Sequence, residues 1–393
     1  MAERVYFKNL SALRFLAATA VIFHHVEQYK FWAGIPNVWG HTTVDALGSK
    51  AVSFFFVLSG FLITYLLMAE RTKTGHISIK EFYVRRILRI WPVYYLVVFI
   101  CLFVVPFIFD MSLLGIDLYD NKFWLKVTLF LLVLPNLVRL FAPSIAGANQ
   151  LWTIGVEEQF YLVWPVFVRV FFRKLILFLI LFVIAKFAVT AALDYSGGDE
   201  GGRLNMVFRF WTQLKIEQMG VGALGAWALF YQRKRLLTFI FHPLTMMLTV
   251  IMFGSLFLLP IHHWAVTYFE AFIFLSIIMN LSVNPRVRVS LEGTLMTTLG
   301  NISYGIYMYH TLCITACLYL LTSFDLNNTN LLLFNILLYT GSVTLTITVA
   351  YFSYEYFEKR FLRLKERFVI IKSGATTAEH EKEQIGVTQP RHQ

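Results

Sequence analysis

The sequence predicts an all-α fold, a polytopic membrane helix bundle of about ten transmembrane helices plus one re-entrant or interfacial segment. Hydrophobic residues make up 58% of the 393 residues, and charged residues only 15%. The mean hydropathy is +0.64. The apolar stretches are continuous runs that approach the roughly 20 residues needed to cross a bilayer, unlike the alternating strands of a β-barrel. Lysine and arginine cluster between these runs, as they do in the cytoplasmic loops of membrane proteins.

Eleven apolar segments follow one another along the chain. They are residues 10–27, 52–69, 90–109, 124–141, 156–172, 174–193, 207–230, 237–259, 265–282, 296–322 and 330–353. Eleven crossings would place the early and late basic clusters on opposite sides of the membrane, so one segment should not cross. Segment 124–141 is the weakest because it contains Pro135, Asn136 and Arg139. We expect it to be re-entrant or to lie on the outer surface.

Ten spans place both termini in the cytoplasm, and we expect a multi-pass protein of a bacterial inner membrane. The first apolar segment lacks a clear cleavage site, so we expect a retained span rather than a removed signal peptide. Residues 1–367 form the predicted transmembrane domain, and residues 368–393 are expected to be a disordered cytoplasmic tail. The net charge of +11 follows from the basic loop clusters, so nucleic acid is not an expected partner, whereas membrane lipids are.

Arg14 and His25 lie in one apolar segment, eleven residues apart. At about 100° per residue the two side chains share one helix face, about 16 Å apart along the axis. Both are costly in lipid and should face protein, water or a ligand. His25 is the best candidate for a general base, because an imidazole titrates near neutral pH. The alternative is a core histidine that is hydrogen-bonded across helices. His24 points about 100° away and is the weaker candidate.

Three arginines stand at the start of the third apolar segment, in EFYVRRILRIWPVYY (81–95). Arg86 and Arg89 are three residues apart and Arg85 and Arg89 four, so the side chains can converge on one anion. Guanidinium groups suit phosphates. The alternative is a basic loop that sets the topology over anionic lipid headgroups.

The motif LWTIGVEEQFYLVWP (151–165) places Glu157 and Glu158 at the mouth of a predicted span. Glu157 shares a helix face with Tyr161 by its four-residue spacing. A glutamate here could orient or stabilise the charge of His25. The alternative is an interfacial aromatic belt, including Trp152, with solvated charges.

Other motifs are weak. Gly220, Gly222 and Gly225 match a dinucleotide-binding pattern but lie in an apolar segment, where packing between helices explains them better. His310, in the middle of a segment, could belong to the core or to a pocket. The sequence contains no zinc-peptidase, P-loop or serine-hydrolase motif, and we predict no metal site.

Taken together, the motifs resemble the membrane-bound acyltransferase-3 family of glycan O-acyltransferases, from about residue 5 to 360. The matching pieces are Arg14 with His25, FFFVLSGFLI (54–63), FYVRRILRIWPVYY (82–95), LWTIGVEEQFYLVWP (151–165) and ISYGIYMYH (302–310). The functional arginine–histidine and double-arginine pairs of the family fall here on Arg14 and His25, and on Arg86 and Arg89.

The resemblance implies transfer of an acyl group, usually acetyl, from cytoplasmic acyl-CoA to a hydroxyl of a cell-surface glycan or lipid-linked sugar, such as lipopolysaccharide O-antigen or exopolysaccharide. Acyl-CoA is then the donor substrate, and no permanently bound cofactor is expected. The candidate catalytic residues are His25 and Glu157, and the candidate residues that bind substrate or acyl-CoA are Arg14, Arg86, Arg89, Trp152 and Tyr161. His25 would activate the acceptor or carry the acyl group itself, with Tyr161 and Asn301 as candidate oxyanion donors.

Two alternatives stay open. The first keeps the chemistry but changes the substrates, to a small secreted molecule such as an antibiotic sugar or to a succinyl donor. The second is a transporter of lipid-linked sugars, in which Arg14 and His25 would line a translocation path.

Overall fold

The computed structural model describes residues 4–109, 120–142, 145, 147–197, 202–259 and 263–373. These parts of the chain are helical apart from two short strands, β1 (Arg4–Val5) and β2 (Lys372–Ser373), which pair in parallel. The pairing brings the two ends of the described chain to one side of the molecule.

The helices follow the predicted apolar segments, with boundaries that extend several of them. They are α1 (Leu10–Trp32), α2 (Thr42–Thr74), α3 (Ile79–Phe99), α4 (Val105–Ile108), α5 (Phe123–Leu131), α6 (Pro135–Phe141), α7 (Trp152–Phe171), α8 (Leu175–Tyr195), α9 (Gly202–Gln213), α10 (Ile216–Phe230), α11 (Lys234–Ile240), α12 (Pro243–Leu258), α13 (Val266–Ser282), α14 (Thr294–Asn301), α15 (Ser303–Ser323), α16 (Leu326–Thr329), α17 (Leu331–Ser353) and α18 (Lys359–Glu366). Wider π turns at Ile100–Val104 and Tyr354–Glu358 join α3 to α4 and α17 to α18.

Within the described residues, five continuous helical stretches are long and apolar enough to cross a membrane. They are Thr42–Thr74, Ile79–Ile108, Asn149–Tyr195, Ser303–Ser323 and Leu331–Glu366. A sixth is added if α11 and α12, bent by 54°, count as one span. The prediction of a helical membrane protein agrees with these stretches, whereas the number of ten spans is not matched. The 23-residue helix α1 falls outside this set, because Arg14, Glu27 and Lys30 lower its hydropathy.

Residues in the left-handed conformation break two of the predicted segments. Segment 124–141 divides into α5 and α6 around Val133, whose φ is 57°, in keeping with a segment that does not cross as one helix. The prediction of one continuous span over 207–230 is wrong, because the chain breaks between α9 and α10 at Lys215, whose φ is 39°. A left-handed residue cannot continue a right-handed helix.

The first residues of the predicted tail lie within the described part of the chain. Phe368 accepts a hydrogen bond through its carbonyl from Arg85 at 2.8 Å, and Lys372–Ser373 form β2. Residues 368–373 are therefore held by backbone hydrogen bonds that residue polarity does not reveal. Residues 374–393 lie outside the described part of the chain.

Helix α2 packs along α10 at very short range. A Cβ atom added to Gly60 would lie 2.0 Å from the carbonyl oxygen of Met219, and one added to Gly222 would lie 2.0 Å from that of Val57. These glycines therefore let two backbones touch, as small residues do between membrane helices. This contact confirms the packing interpretation of Gly222 over a dinucleotide site.

Candidate active site

Two cavities of the helix bundle are lined by residues that the sequence marks as candidates for the site. The first, of about 490 Å³, contains Arg14, Arg86 and Arg89 in its lining, and we call it the arginine cavity. The second, of about 540 Å³, contains His24 and His25, and we call it the histidine cavity. Residues next to β1 and β2 line the arginine cavity, so it lies toward the side of the chain ends.

The predicted site residues divide between the two cavities. The arginine cavity is lined by Arg14, Arg86, Arg89, Glu157 and Tyr161, together with Asn301. The histidine cavity is lined by His25 and Trp152. Helix α1 is continuous between Arg14 and His25, so about 16 Å along its axis joins one cavity to the other. Arg14 and His25 therefore lie on one continuous helix, but their side chains line different cavities.

Three of the four arginines that line this cavity differ from the fourth, Arg85. Arg85 pairs with Glu70 at 2.8 Å. No carboxylate of the described residues lies within 4.0 Å of Arg14, Arg86 or Arg89. Like charges gathered in one cavity repel one another and favour a bound anion. Arg86 and Arg89 can therefore receive a phosphate, while Arg85 is already occupied.

Arg86 is held from two sides by aromatic rings. Its guanidinium carbon lies 5.6 Å from the ring centres of both Phe82 and Tyr161, a distance at which a cation is attracted to a ring face. Its buried Nε has no hydrogen-bond partner among the described residues. The side chain is therefore positioned by packing and keeps donors free for a ligand.

Glu157 does not contact His25. Its carboxylate accepts hydrogen bonds from Ser59 Oγ and from the Tyr161 hydroxyl, each at 2.9 Å. Glu158 accepts a hydrogen bond from Trp91 Nε1 at 2.9 Å. The hypothesis that a glutamate of this motif orients His25 is therefore not supported by the hydrogen bonds, because α7 presents both carboxylates to other partners.

A second histidine stands beside His25 instead. Nδ1 of His25 lies 3.0 Å from the Val21 carbonyl oxygen, and Nε2 of His310 lies 3.4 Å from the same Nδ1. Nδ1 of His310 lies 2.7 Å from the Tyr307 carbonyl oxygen. Carbonyl oxygens only accept hydrogen bonds, so each Nδ1 carries the proton. The Nε2 of His25 is then unprotonated, as a general base requires.

The His25 ring is also fixed by His24. The two rings meet edge to face, with centres 4.9 Å apart, and Trp39 meets the other side of His24 at 4.8 Å. His24 Nδ1 donates to the Val44 carbonyl oxygen at 3.0 Å. A Cβ added to Gly48 would lie 2.4 Å from the His24 ring. Gly48 therefore makes room for the cluster of histidines.

Val52 and Tyr307 line both cavities and form the boundary between them. The Tyr307 hydroxyl lies 2.8 Å from Thr153 Oγ1 and donates to the Gln150 carbonyl oxygen at 3.2 Å. Tyr307 belongs to the ISYGIYMYH motif, but sequence reasoning missed it because a tyrosine in an apolar helix resembles a packing residue.

Gln150 is a second residue that sequence reasoning missed. It is buried and lines the histidine cavity. Its Nε2 donates to the carbonyl oxygens of Gly147 and Met308, at 3.0 and 2.9 Å. Its Oε1 has no partner among the described residues. A buried amide oxygen without a donor is costly, and a ligand hydroxyl would satisfy it.

Comparison with known proteins identifies the family of the chain. A family model described as an acyltransferase domain matches residues 7–355. The chain belongs to the acyltransferase-3 family. The predicted family and the prediction of an acyltransferase are therefore confirmed.

The relatives of this acyltransferase include enzymes named for O-acetyl transfer. It is 29% identical to the peptidoglycan O-acetyltransferase OatA of Listeria monocytogenes, over 51% of this chain and 31% of that protein. It is 27% identical to a putative peptidoglycan O-acetyltransferase, YrhL, of Bacillus subtilis, over 78% of this chain and 48% of that protein. The chain thus spans less than half the length of these curated relatives. No solved structure matches it.

Proposed function

We propose that this acyltransferase transfers an acetyl group from acetyl-CoA, bound in the arginine cavity, to a hydroxyl of a cell-envelope glycan bound in the histidine cavity. The observation that carries the proposal is the placement of Arg14 and His25 by one continuous helix in two cavities that meet at Tyr307. Two different substrates can enter such a site from two directions, one through each cavity. We take the side of the chain ends to be the cytoplasmic one, because basic residues favour that side, and acyl-CoA is found there.

The donor fits the arginine cavity by charge. CoA carries phosphates, and Arg14, Arg86 and Arg89 supply guanidinium groups that have no carboxylate partner among the described residues. Charge-assisted hydrogen bonds of this kind are stronger than neutral ones. The thioester end of the extended CoA arm would pass the boundary at Tyr307 and reach His25, which lies about 16 Å from Arg14 along α1.

The acceptor reacts at His25. Nε2 removes the proton from a glycan hydroxyl as the oxygen attacks the thioester carbonyl carbon. The carbon–sulfur bond then breaks, the ester forms, and the thiolate leaves as CoA after taking up the proton. Oε1 of Gln150 would accept a hydrogen bond from a neighbouring hydroxyl and hold the sugar in place.

The proposal specifies the reaction and leaves the choice among cell-envelope glycans to experiment. The sequence suggests lipopolysaccharide O-antigen or exopolysaccharide, whereas two relatives are named for peptidoglycan. Mass spectrometry of each envelope glycan from strains with and without this protein would show which one loses its acetyl groups.

Purified protein, radiolabelled acetyl-CoA and an envelope glycan test the reaction. We expect His25→Ala to lower transfer by about 10²- to 10⁴-fold, the usual contribution of a general base, with acetyl-CoA affinity unchanged. His76→Ala is the matched control, because His76 is exposed and lies outside both cavities. Undiminished transfer by His25→Ala would refute the mechanism, and movement of unlabelled sugar across vesicles without label transfer would favour a transporter.

A further inference from the structure

The histidine cavity holds an excess of positive charge. Its cationic lining residues are Arg139, Lys186, Arg209 and Lys215, and its acidic ones are Asp45 and Glu217. Lys186 and Glu217 lie 3.6 Å apart and compensate each other. Three cations then remain against the single carboxylate of Asp45.

These three cations form no direct ion pair with a described carboxylate. No carboxylate of the described residues lies within 4.0 Å of Arg139, Arg209 or Lys215. Glu270 and Glu217 act on Lys215 more strongly than Arg139 does, but they pair with Lys50 and Lys186. Arg139 and Arg209 repel each other, and α6, which carries Arg139, packs against α9, which carries Arg209. A bound anion would reduce the repulsion among these cations.

The backbone departs from regular helical geometry at one member of this cluster, Lys215. Lys215 adopts φ 39° at the break between α9 and α10. A residue with a Cβ rarely takes this conformation, and such strain concentrates at ligand sites. The guanidinium carbon of Arg139 is held 4.8 Å from the ring centre of Trp152. Arg139 is thus fixed beside the cavity, whereas Arg209 lines the cavity from an exposed position.

Aromatic side chains complete the lining. Trp39, Trp152, Trp264 and Tyr268 face the same cavity, and their rings offer flat apolar surfaces beside polar edges. Flat surfaces suit the C–H faces of sugar rings, while the cations suit an acid group. We infer that the acceptor is an acidic glycan, whose carboxylate or phosphate is bound by Arg139, Arg209 and Lys215. This inference rests on the proposed function, because it takes the histidine cavity as the acceptor site.

Binding measured without any acyl donor tests the inference independently of transfer. Isothermal titration of the full-length protein in detergent would use two matched pairs of probes. The first pair is the N-acetylglucosamine–N-acetylmuramic acid disaccharide and its neutral carboxamide. The second pair is farnesyl-diphosphate-linked N-acetylglucosamine and the neutral farnesyl glycoside. The first pair tests a carboxylate source, and the second a lipid-phosphate source.

We expect at least one acidic probe to bind about tenfold more tightly than its neutral partner, as one added charged contact provides. Arg209→Gln and Lys215→Gln should each remove that difference and leave the neutral probe unaffected. Arg203→Gln is the matched control, because Arg203 lies on the same helix outside the cavity. The inference would be overturned by equal binding within both pairs of probes, or by a failure of both acidic probes to bind. It would also be overturned if Arg203→Gln caused the same loss. Acetyl transfer to a neutral glycan alongside equal binding would leave the proposed function standing.

Discussion

The His310 ring lies against the His25 ring, with Nε2 of His310 3.4 Å from Nδ1 of His25. The centres of the two rings are 4.9 Å apart. Because His310 donates through its own Nδ1 to the Tyr307 carbonyl oxygen, its Nε2 can only accept from His25. Together with the Val21 carbonyl oxygen, 3.0 Å from the same Nδ1, this contact favours the His25 tautomer whose Nε2 is free to take a proton, so we expect His310 to act as a positioning residue.

Replacing His310 should therefore affect turnover more than binding. We expect His310→Ala to lower kcat by about 10- to 100-fold, the range found where residues that orient metal-bound histidines are removed. KM for donor and acceptor should not change. His310→Gln keeps an acceptor oxygen near the position of Nε2 and should recover part of the activity. Equal loss in both variants, or a loss confined to KM, would contradict the positioning role.

Arg86 and Arg89 should contribute to acetyl-CoA affinity. We expect Arg86→Gln and Arg89→Gln each to raise the dissociation constant of acetyl-CoA by about tenfold, because each removes a charge-assisted contact to phosphate. Equilibrium binding to the purified protein measures this. Arg173→Gln is the control, since Arg173 is exposed and outside the arginine cavity. If acetyl-CoA affinity is unchanged in Arg86→Gln and Arg89→Gln, these two arginines serve only to set the membrane topology.

Arg85 should matter for stability instead. Its side chain is 13% exposed and that of Glu70 is 3% exposed, and the two pair at 2.8 Å. Removing one partner leaves a buried charge, so we expect Arg85→Gln to lower the free energy of unfolding by about 3 kcal/mol. The double variant with Glu70→Gln should lose less than the sum of the single changes. Thermal unfolding in detergent, alongside acetyl-CoA binding, would separate this effect from a loss of affinity.

Tyr307 should act as a barrier between the two cavities. Tyr307→Ala would remove the ring that lines both chambers and let water from the histidine cavity reach the thioester. We expect faster release of CoA in the absence of acceptor, measured with a thiol reagent. Tyr307→Phe keeps the ring and loses only the hydroxyl contacts, so its rate should stay near that of the unchanged protein. Slow release of CoA from both variants would show that Tyr307 is not the barrier between the two cavities.

Gly48 should be essential for the arrangement of the histidines. A Cβ there would lie 2.4 Å from the His24 ring, whereas one at Gly254 would meet nothing within 4 Å. We expect Gly48→Ala to lower transfer by displacing His24 against His25, while Gly254→Ala should have no effect. The double variant Gly48→Ala/His24→Ala should regain part of the activity, because the clash is removed although the contact of His24 with His25 is lost as well. Full activity of Gly48→Ala alone would show that His24 can move without consequence.

Hydropathy was sufficient for the class of fold, and the seven candidate site residues line one or other of the two cavities. Arg14 and His25 could be assigned to one face of one helix because eleven residues complete almost whole turns, and α1 shows no break between them. Helix breaks were harder to predict. The left-handed conformations of Val133 and Lys215 are imposed by packing, and no local sequence pattern predicts them.

The sequence by itself determined the helical membrane class, the family motifs and the identities of the residues that suit acyl transfer. Only the tertiary structure decided that Arg14 and His25 face different cavities, that Arg85 is paired with Glu70, and that His310 rather than Glu157 contacts His25. The physical reason is that hydropathy and periodicity are local properties of one segment. Which side chains meet across α1, α7 and α15 depends on the rotation and depth of each helix in the bundle.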